Sequence, residues 1–210
     1  MIILSFDIGI KNMAWSMVSS LNPYNVDINS ISNQVSIYSF DTFDPSHTIM
    51  HKVYQNLHSY LKSKSHYWDK ADIILIEQQM STKFIHNIKA LKLSQHIYAY
   101  FLITYPHKKV IEFKAKWKTS IFNVYLPSKT DRKKWSIQKI YDLYEQDPVI
   151  IDFLNCYSKK DDITDTLLMG IVYFIMNSSS FNQHSNIYST SVHKKKNYKY
   201  KSKSSNKQTK

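Results

Sequence analysis

Apolar and polar positions along the chain mark out a mixed order of strands and helices. Residues 2–8 form a β-rich apolar run that predicts a strand. A second strand is expected over about 13–20, where Met13 to Val18 partly alternates. Leu21 to Asn33, rich in Asn and Ser with Pro23, reads as a loop. Gln34 to Phe40 alternates well, with Val35 and Ile37 against Ser36 and Ser39, completing a three-stranded antiparallel meander. Ile49, Val53, Leu57, Tyr60 and Leu61 then recur at helical spacing, with Ser46 after Pro45 as the expected N-cap. Ile73 to Ile76 is a short continuous apolar run, the pattern of a buried central strand.

From Thr82 to about Tyr105 the spacing is helical again. Phe84, Ile88, Leu91, Tyr98 and Leu102 form one apolar stripe; Ile85, Leu93, Ile97 and Phe101 form another. A helix with two apolar faces must bury both, one on its own sheet and the other against another subunit. Lys109 to Phe113 predicts a further strand. Thr130 or Asp131 can cap a helix carrying Trp135, Ile140, Tyr141 and Tyr144, while Val149 to Cys156 fits helix or strand. The last helix is expected from near Ser158 to about Met176. Beyond Asn177, Ser, Asn, Lys and Tyr prevail with few aliphatic residues, so residues 178–210 are expected to be a basic, disordered tail on a domain of residues 1–177. The order predicts an α/β fold, a mixed sheet with helices on its faces.

Four carboxylates interrupt this apolar pattern at element edges: Asp7, Glu77, Asp162 and Asp165. Asp7 sits late in the first strand and Glu77 follows four aliphatic residues; if those strands are neighbours, the two acids lie side by side. Asp162 and Asp165 share a helix face by their spacing. Unpaired carboxylates are costly to bury in core-forming sequence, and clustered acidic oxygens are a natural cage for Mg²⁺ or Mn²⁺. Taken singly, each has an ordinary alternative as a turn residue, ion-pair partner or solvated helix residue. Ser158-Lys159-Lys160-Asp161 matches a capping pattern, which assigns Asp161 to the helix N-terminus rather than to metal. Gly170, inside a helix, points to close backbone packing.

The charge supplies the partner. The formal net charge is +12 and the sequence pI about 9.5. Eight lysines and no acid lie in 193–210, which leaves +4 for the rest of the chain. An acidic site in a basic chain points to metal-dependent cutting of nucleic acid. Phosphate contacts are expected from Lys11, Lys83, Lys89, Lys92, Lys114, Lys116, Lys118, Arg132, Lys133, Lys134, Lys159 and Lys160, and from the tail, whose tyrosines alternate with lysines. Cys156 is the single cysteine, so no intramolecular disulfide forms and a reducing, intracellular compartment is expected. The N-terminal apolar run is too short for a signal peptide, and no stretch is long and apolar enough to span a membrane. None of the nine histidines falls in a zinc-binding pattern.

Three segments together resemble a known family. Asp7-Ile8-Gly9-Ile10-Lys11-Asn12, Ile76-Glu77-Gln78-Gln79 and Lys160-Asp161-Asp162-Ile163-Thr164-Asp165 are similar to motifs of the RuvC-type Holliday junction resolvases, most of all the poxvirus branch, then the fungal mitochondrial one. The resemblance implies an RNase H-like fold with a five-stranded mixed sheet, a homodimer, and cleavage of four-way DNA junctions with two Mg²⁺ (or Mn²⁺) ions per site. It implies metal-ligand roles for Asp7, Glu77, Asp162 and Asp165, and a functional lysine after the fifth strand. Lys114, Lys116 and Lys118 compete for that role, and position favours Lys118. A poxvirus relationship further implies a viral replication site in the host cytoplasm. Three other classes compete with this reading. An actin-like ATPase or sugar kinase needs Gly-rich phosphate turns, and this chain has only Gly9 and Gly170. A non-catalytic DNA-binding protein accounts for the charge but not for the ordered acids. Another RNase H-like nuclease, a hybrid cutter or a transposase, accounts for both.

Overall fold

In the computed structural model, residues 1–79 and 87–179 are described. Five strands, β1 (Ile2–Asp7), β2 (Met13–Ser19), β3 (Ser36–Phe43), β4 (Ile73–Glu77) and β5 (Lys109–Phe113), form one sheet in the order β3-β2-β1-β4-β5. The pairs β1–β2 and β2–β3 are antiparallel, and β1–β4 and β4–β5 are parallel. The helices are α1 (Ile31–Gln34), α2 (Met50–Ser63), α3 (Ser65–Trp68), α4 (Ile88–Thr104), α5 (Trp117–Ser120), α6 (Lys129–Leu143), α7 (Pro148–Asn155) and α8 (Lys160–Asn177). The mixed five-stranded sheet with helices on both faces is as the sequence predicts.

Strand periodicity assigns the two faces. Leu4, Phe6, Trp15, Met17, Ile74 and Ile76 point toward α2, α3 and α4, where they meet Leu57, Trp68, Leu93, Ile97 and Phe101. This layer is aromatic: Trp15 meets Trp68 edge-on at 4.9 Å, and Phe6 contacts both Trp68 and Phe101 at 5.4 Å. The two indole N–H groups stay bonded inside it, Trp15 donating to Tyr60 Oη at 2.7 Å and Trp68 to the Leu61 carbonyl at 2.7 Å. The alternate residues Ile3, Ala14, Val18, Leu75 and Phe113 face α8 and α6. α8 is buried along nearly its whole length, between the sheet and α6.

Several local expectations change. Ser46 does not cap α2, which starts at Met50; the Ser46 N–H instead donates to Asp44 in a turn. Ser128, not Thr130 or Asp131, caps α6, its hydroxyl accepting from both of their N–H groups. Ser158 does not cap α8 either. Lys159 holds the cap position without a side-chain bond, and Asp161 lies inside the first turn. The loop 21–33 ends in a helical turn that buries Ile31, and β3 runs three residues further than expected, to Phe43. The ambiguous run after Asp147 is helix α7: the Asp147 carboxylate accepts from the Ile150 N–H and Pro148 opens the first turn. On α4, Leu93, Ile97 and Phe101 are buried on the sheet while Ile88 and Leu102 of the other stripe are 54% and 44% exposed. Phe84, Ile85, Lys83 and the residues from 180 onward, with most of the expected tail, lie outside the described residues.

Gly170 is where α8 comes closest to the sheet. A Cβ there would stand 2.4 Å from Val18 Cγ2 and 3.4 Å from Ser5 Oγ. Alanine is the better helix former by about 1 kcal/mol, but overpacking a tight contact against a stiff β-branched side chain costs about 1–3 kcal/mol. Gly170→Ala is therefore expected to lower stability, by roughly 1–2 kcal/mol, measured by urea denaturation followed by tryptophan fluorescence. A stabilised variant would show that the helix is not seated on Val18.

Candidate active site

Parity places the first two acids. In β1, Asp7 shares the face of Ile3 and Ser5; in β4, Glu77 shares the face of Ile73 and Leu75. Both therefore look toward α8. Phe6 pairs with Ile76 in parallel register, so Asp7 and Glu77 are neighbours at the C-terminal edge of adjacent strands. The turn that follows Asp7 is tight. A Cβ on Gly9 would fall 2.1 Å from the Asn12 carbonyl oxygen, a backbone atom that cannot step aside. With the Asn12 amide oriented oxygen outward, it accepts from Lys159 Nζ at 2.6 Å, tying this turn to the start of α8.

α8 delivers Asp165, and the short α5 delivers Lys118. The chain turns after β5 through bonds from the Trp117 N–H to the Lys114 carbonyl and from the Lys118 N–H to the Ala115 carbonyl, while Trp117 packs edge-on against Phe113. That turn leaves Lys114 and Lys116 exposed and sends Lys118 inward. The Lys118 ammonium lies 2.9 Å from Glu77 Oε1 and 3.2 Å from Asp165 Oδ2. The three side chains retain 9%, 15% and 21% of their exposure respectively, so the ion pairs are mostly withdrawn from water.

The electrostatics follow from three carboxylates sharing one ammonium. Burial and the negative charge of Glu77 push the Asp7 carboxyl well above its usual range, with Asp165 adding to the effect and Lys118 opposing it. Burial also raises Glu77, but the Lys118 charge outweighs it, and Glu77 is held below the usual range while accepting a hydrogen bond from Asp7. Burial lowers Lys118, yet Glu77, Asp165 and Asp7 together raise it above an ordinary lysine.

The structure thus brings together Asp7, Glu77, Asp165 and Lys118. Asp162, one turn earlier on α8, has a different partner: Lys133 of α6 sits 3.5 Å from Asp162 Oδ1 and also binds Asp161. Burial and Asp161 raise the Asp162 carboxyl, with Lys133 opposing; Asp161 is lowered, the Lys133 bond outweighing burial. Sequence reasoning placed Lys133 among phosphate contacts and passed over Lys129, which stands at the start of α6 and helps lower Glu77. Their i, i+4 spacing after Ser128 put both on one helix face, but nothing local showed which acids that face meets. Two other expected phosphate contacts are engaged as well: Arg132 with the carbonyls of Leu126 and Pro127, and Lys160 with Asn155.

The donors suit a hard divalent cation, since they are all carboxylate oxygens and Asp7 is destabilised as an anion by burial and by the neighbouring Glu77 charge. Among the described residues no three potential ligands already surround one point. Lys118 stands between Glu77 and Asp165, and Lys133 holds Asp162. No helix among the described residues is long and apolar enough to cross a membrane.

Sheet order and helix placement give an RNase H-like fold of the kind seen in RuvC. Two solved structures share that fold at low identity: the yeast mitochondrial Holliday junction resolvase Ydc2 (14% identical, TM-score 0.59, covering 90% of this chain and 83% of that one) and Thermus thermophilus RuvC (12%, 0.54, 89% and 97%). Residues 1–177 match the family described as Poxvirus A22 protein, and the chain belongs to that family. It is similar to the fowlpox virus resolvase, solved with its substrate Holliday junction DNA, at 25% identity and TM-score 0.55, covering 83% of this chain and 97% of that one. Among curated proteins, it is 34% identical over 108 residues to uncharacterized protein 97L of Invertebrate iridescent virus 3 (51% of this chain, 50% of that protein). It is 33% identical over 138 residues to uncharacterized protein 170L of Invertebrate iridescent virus 6 (54% of each). The chain spans about half the length of these curated relatives.

Lys118→Met tests the charge balance. In the wild-type protein the lowered Glu77 gives stability that is present above its unfolded pKa and lost as pH falls through the folded one. Without the ammonium, the same desolvated carboxyl is raised instead, so stability is lost as pH rises. The variant is expected to lose on the order of 2–4 kcal/mol at pH 8 and clearly less at pH 5, read by urea denaturation at both. An equal loss at the two values would mean that Lys118 acts through packing alone.

Proposed function

We propose that the chain is a Holliday junction resolvase, a metal-dependent endonuclease that cuts four-way DNA junctions by paired symmetric nicks. The observation that carries this is the gathering of Asp7, Glu77 and Asp165 around Lys118 at one sheet edge, in a chain similar to the fowlpox resolvase over 83% of its length. Asp7, Glu77 and Asp165 are the ligands available for the cation, with Asp162 as the fourth once it is free of Lys133. Mg²⁺ or Mn²⁺, two ions per site, supplies activation of the attacking water and neutralisation of the departing 3′ oxygen. Lys118 keeps the carboxylates from repelling one another apart and offers its charge to the scissile phosphate. Lys11, in the turn after Asp7, and Lys159, bonded to Asn12 of that turn, would grip the DNA backbone beside the cut. The lysine-rich segment after residue 177 adds sequence-independent contact. Such an activity belongs at a viral replication site in the host cytoplasm, a reducing compartment that fits the one exposed thiol, Cys156.

Asp7→Asn is expected to abolish cleavage of a four-way junction in Mg²⁺ while leaving junction affinity, read by electrophoretic mobility shift, within about threefold, because phosphate contacts dominate binding. Chelation with EDTA is expected to do the same to the wild-type chain. Comparison of junction, RNA–DNA hybrid and linear duplex separates this reading from other nucleases of the fold. The junction is expected to be cut fastest, and equal or faster cutting of hybrid would displace the assignment. Binding without any metal-dependent cutting would leave only a basic DNA-binding protein.

The paired nicks require two sites, and the outward stripe of α4 supports a homodimer. Ile88, Leu102 and Ile103 are 54%, 44% and 79% exposed there. Light scattering at micromolar concentration is expected to give twice the chain mass, and Leu102→Lys to shift the population toward monomer. A wild-type monomer, both free and on junction DNA, would contradict the pairing.

A further inference from the structure

The first turn of α8 carries two adjacent carboxylates, Asp161 and Asp162, and one ammonium from α6 serves both. Lys133 binds Asp161 and lies 3.5 Å from Asp162 Oδ1. Its position is fixed by the packing of the two helices. The buried Ser136 hydroxyl bonds to Thr164 Oγ1 at 3.1 Å, which locks α6 to α8 beside the ion pairs, and the Ser128 cap sets where α6 begins. The two lysines of the region differ in one respect. Lys118 keeps 9% of its side-chain exposure and is enclosed by the cluster; Lys133 keeps 38% and has a path to water. A long, half-exposed lysine can swing out without opening the core.

Asp162 shares a helix face with Asp165, so the backbone aims it at the same region. Its carboxylate is nonetheless bound to Lys133 and not to Lys118. Carboxylate oxygens engaged with an ammonium are not free to enter the tight shell of a small divalent cation. The two cations therefore compete for Asp162.

We propose that Lys133 is a positioning residue, the exchangeable counter-cation of Asp161 and Asp162, and that a divalent ion must displace it to recruit Asp162. This rests on the metal-site reading above. In the metal-free chain Lys133 relieves the repulsion between the two acids and holds the first turn of α8 in order. On metal binding its ammonium moves to solvent and Asp162 joins the cluster.

The test is Mn²⁺ affinity of the full chain without DNA, by isothermal titration calorimetry at pH 8. Lys133→Met and Lys133→Gln are expected to bind Mn²⁺ about tenfold more tightly than wild type, because the ion no longer has to break the partly buried pairs of Lys133 with the two acids. Lys133→Arg, which keeps the charge, is expected to bind as wild type does. In an Asp162→Asn background the gain from Lys133→Met is expected to shrink, which a purely structural role of Lys133 would not produce. Equal or weaker Mn²⁺ binding in Lys133→Met overturns the role of Lys133 and leaves the site reading standing. No Mn²⁺ binding by the wild-type chain overturns the metal site itself and this inference with it.

Discussion

Three carboxylates compete for the single ammonium of Lys118, and the placement of four elements is constrained by that contact. β1 and β4 must be in parallel register so that Asp7 and Glu77 fall side by side. The turn after β5 must close tightly enough to send Lys118 inward. α8 must lie close enough to the sheet for Asp165 to reach the lysine at 3.2 Å. The last condition is met at Gly170, five residues along the helix and so about 7.5 Å away along its axis, where the missing side chain lets α8 settle onto Val18. A methyl-sized change in the packed core is thus transmitted to the spacing of charges at the edge. The energetic asymmetry is severe, because a carboxylate withdrawn from water without a partner costs far more than a well-made ion pair returns.

The parts of this arrangement that depend on strand periodicity were legible in the sequence. The run Ile73–Ile76 identifies a buried strand, and the position of Glu77 at its end then follows. The same holds for Asp7 after five core positions. Gly170 was legible as a point of close approach, because nothing else favours glycine in mid-helix. Cap residues were less so. Ser46, Thr130 and Ser158 all satisfy a sequence preference, but a cap also needs non-helical backbone at one specific residue, and that is settled by where tertiary packing lets each helix start. The apolar run 149–156 carried no periodicity that separates helix from strand; the Asp147 bond and Pro148 decided it. Lys133 was unreadable as an ion-pair partner, since 28 residues separate it from Asp161 and the pairing exists only because α6 lies along α8.

Acidic sites in basic chains face a general difficulty. The long-range field of a chain carrying +12 attracts polyanions, but on the proposed function a phosphate at the site would meet Asp7, Glu77, Asp161, Asp162 and Asp165. Screening does little at that range, where separations are below the Debye length. Some cation has to stand between each acid and the strand. In the described residues Lys118 and Lys133 take that place, with Lys129 near Glu77 and Lys159 bonded to Asn12 beside Asp7.

These lysines do not have equal freedom: the Lys118 side chain keeps 9% of its exposure and that of Lys133 keeps 38%. Lys118 is enclosed and cannot leave without exposing a desolvated cluster, so it is a permanent part of the charge balance. Asp7, raised by burial and by the Glu77 charge, is the acid that holds an anion least readily, so a divalent ion at the site would relieve it most. Asp162 is paired with the more exposed lysine, so it is the acid that the proposed exchange would free. A site built this way would recruit its full set of acids only when a divalent charge is present to offset them. The bare cluster sets more acids than lysines against one another, and that excess of acid is what a divalent charge would offset.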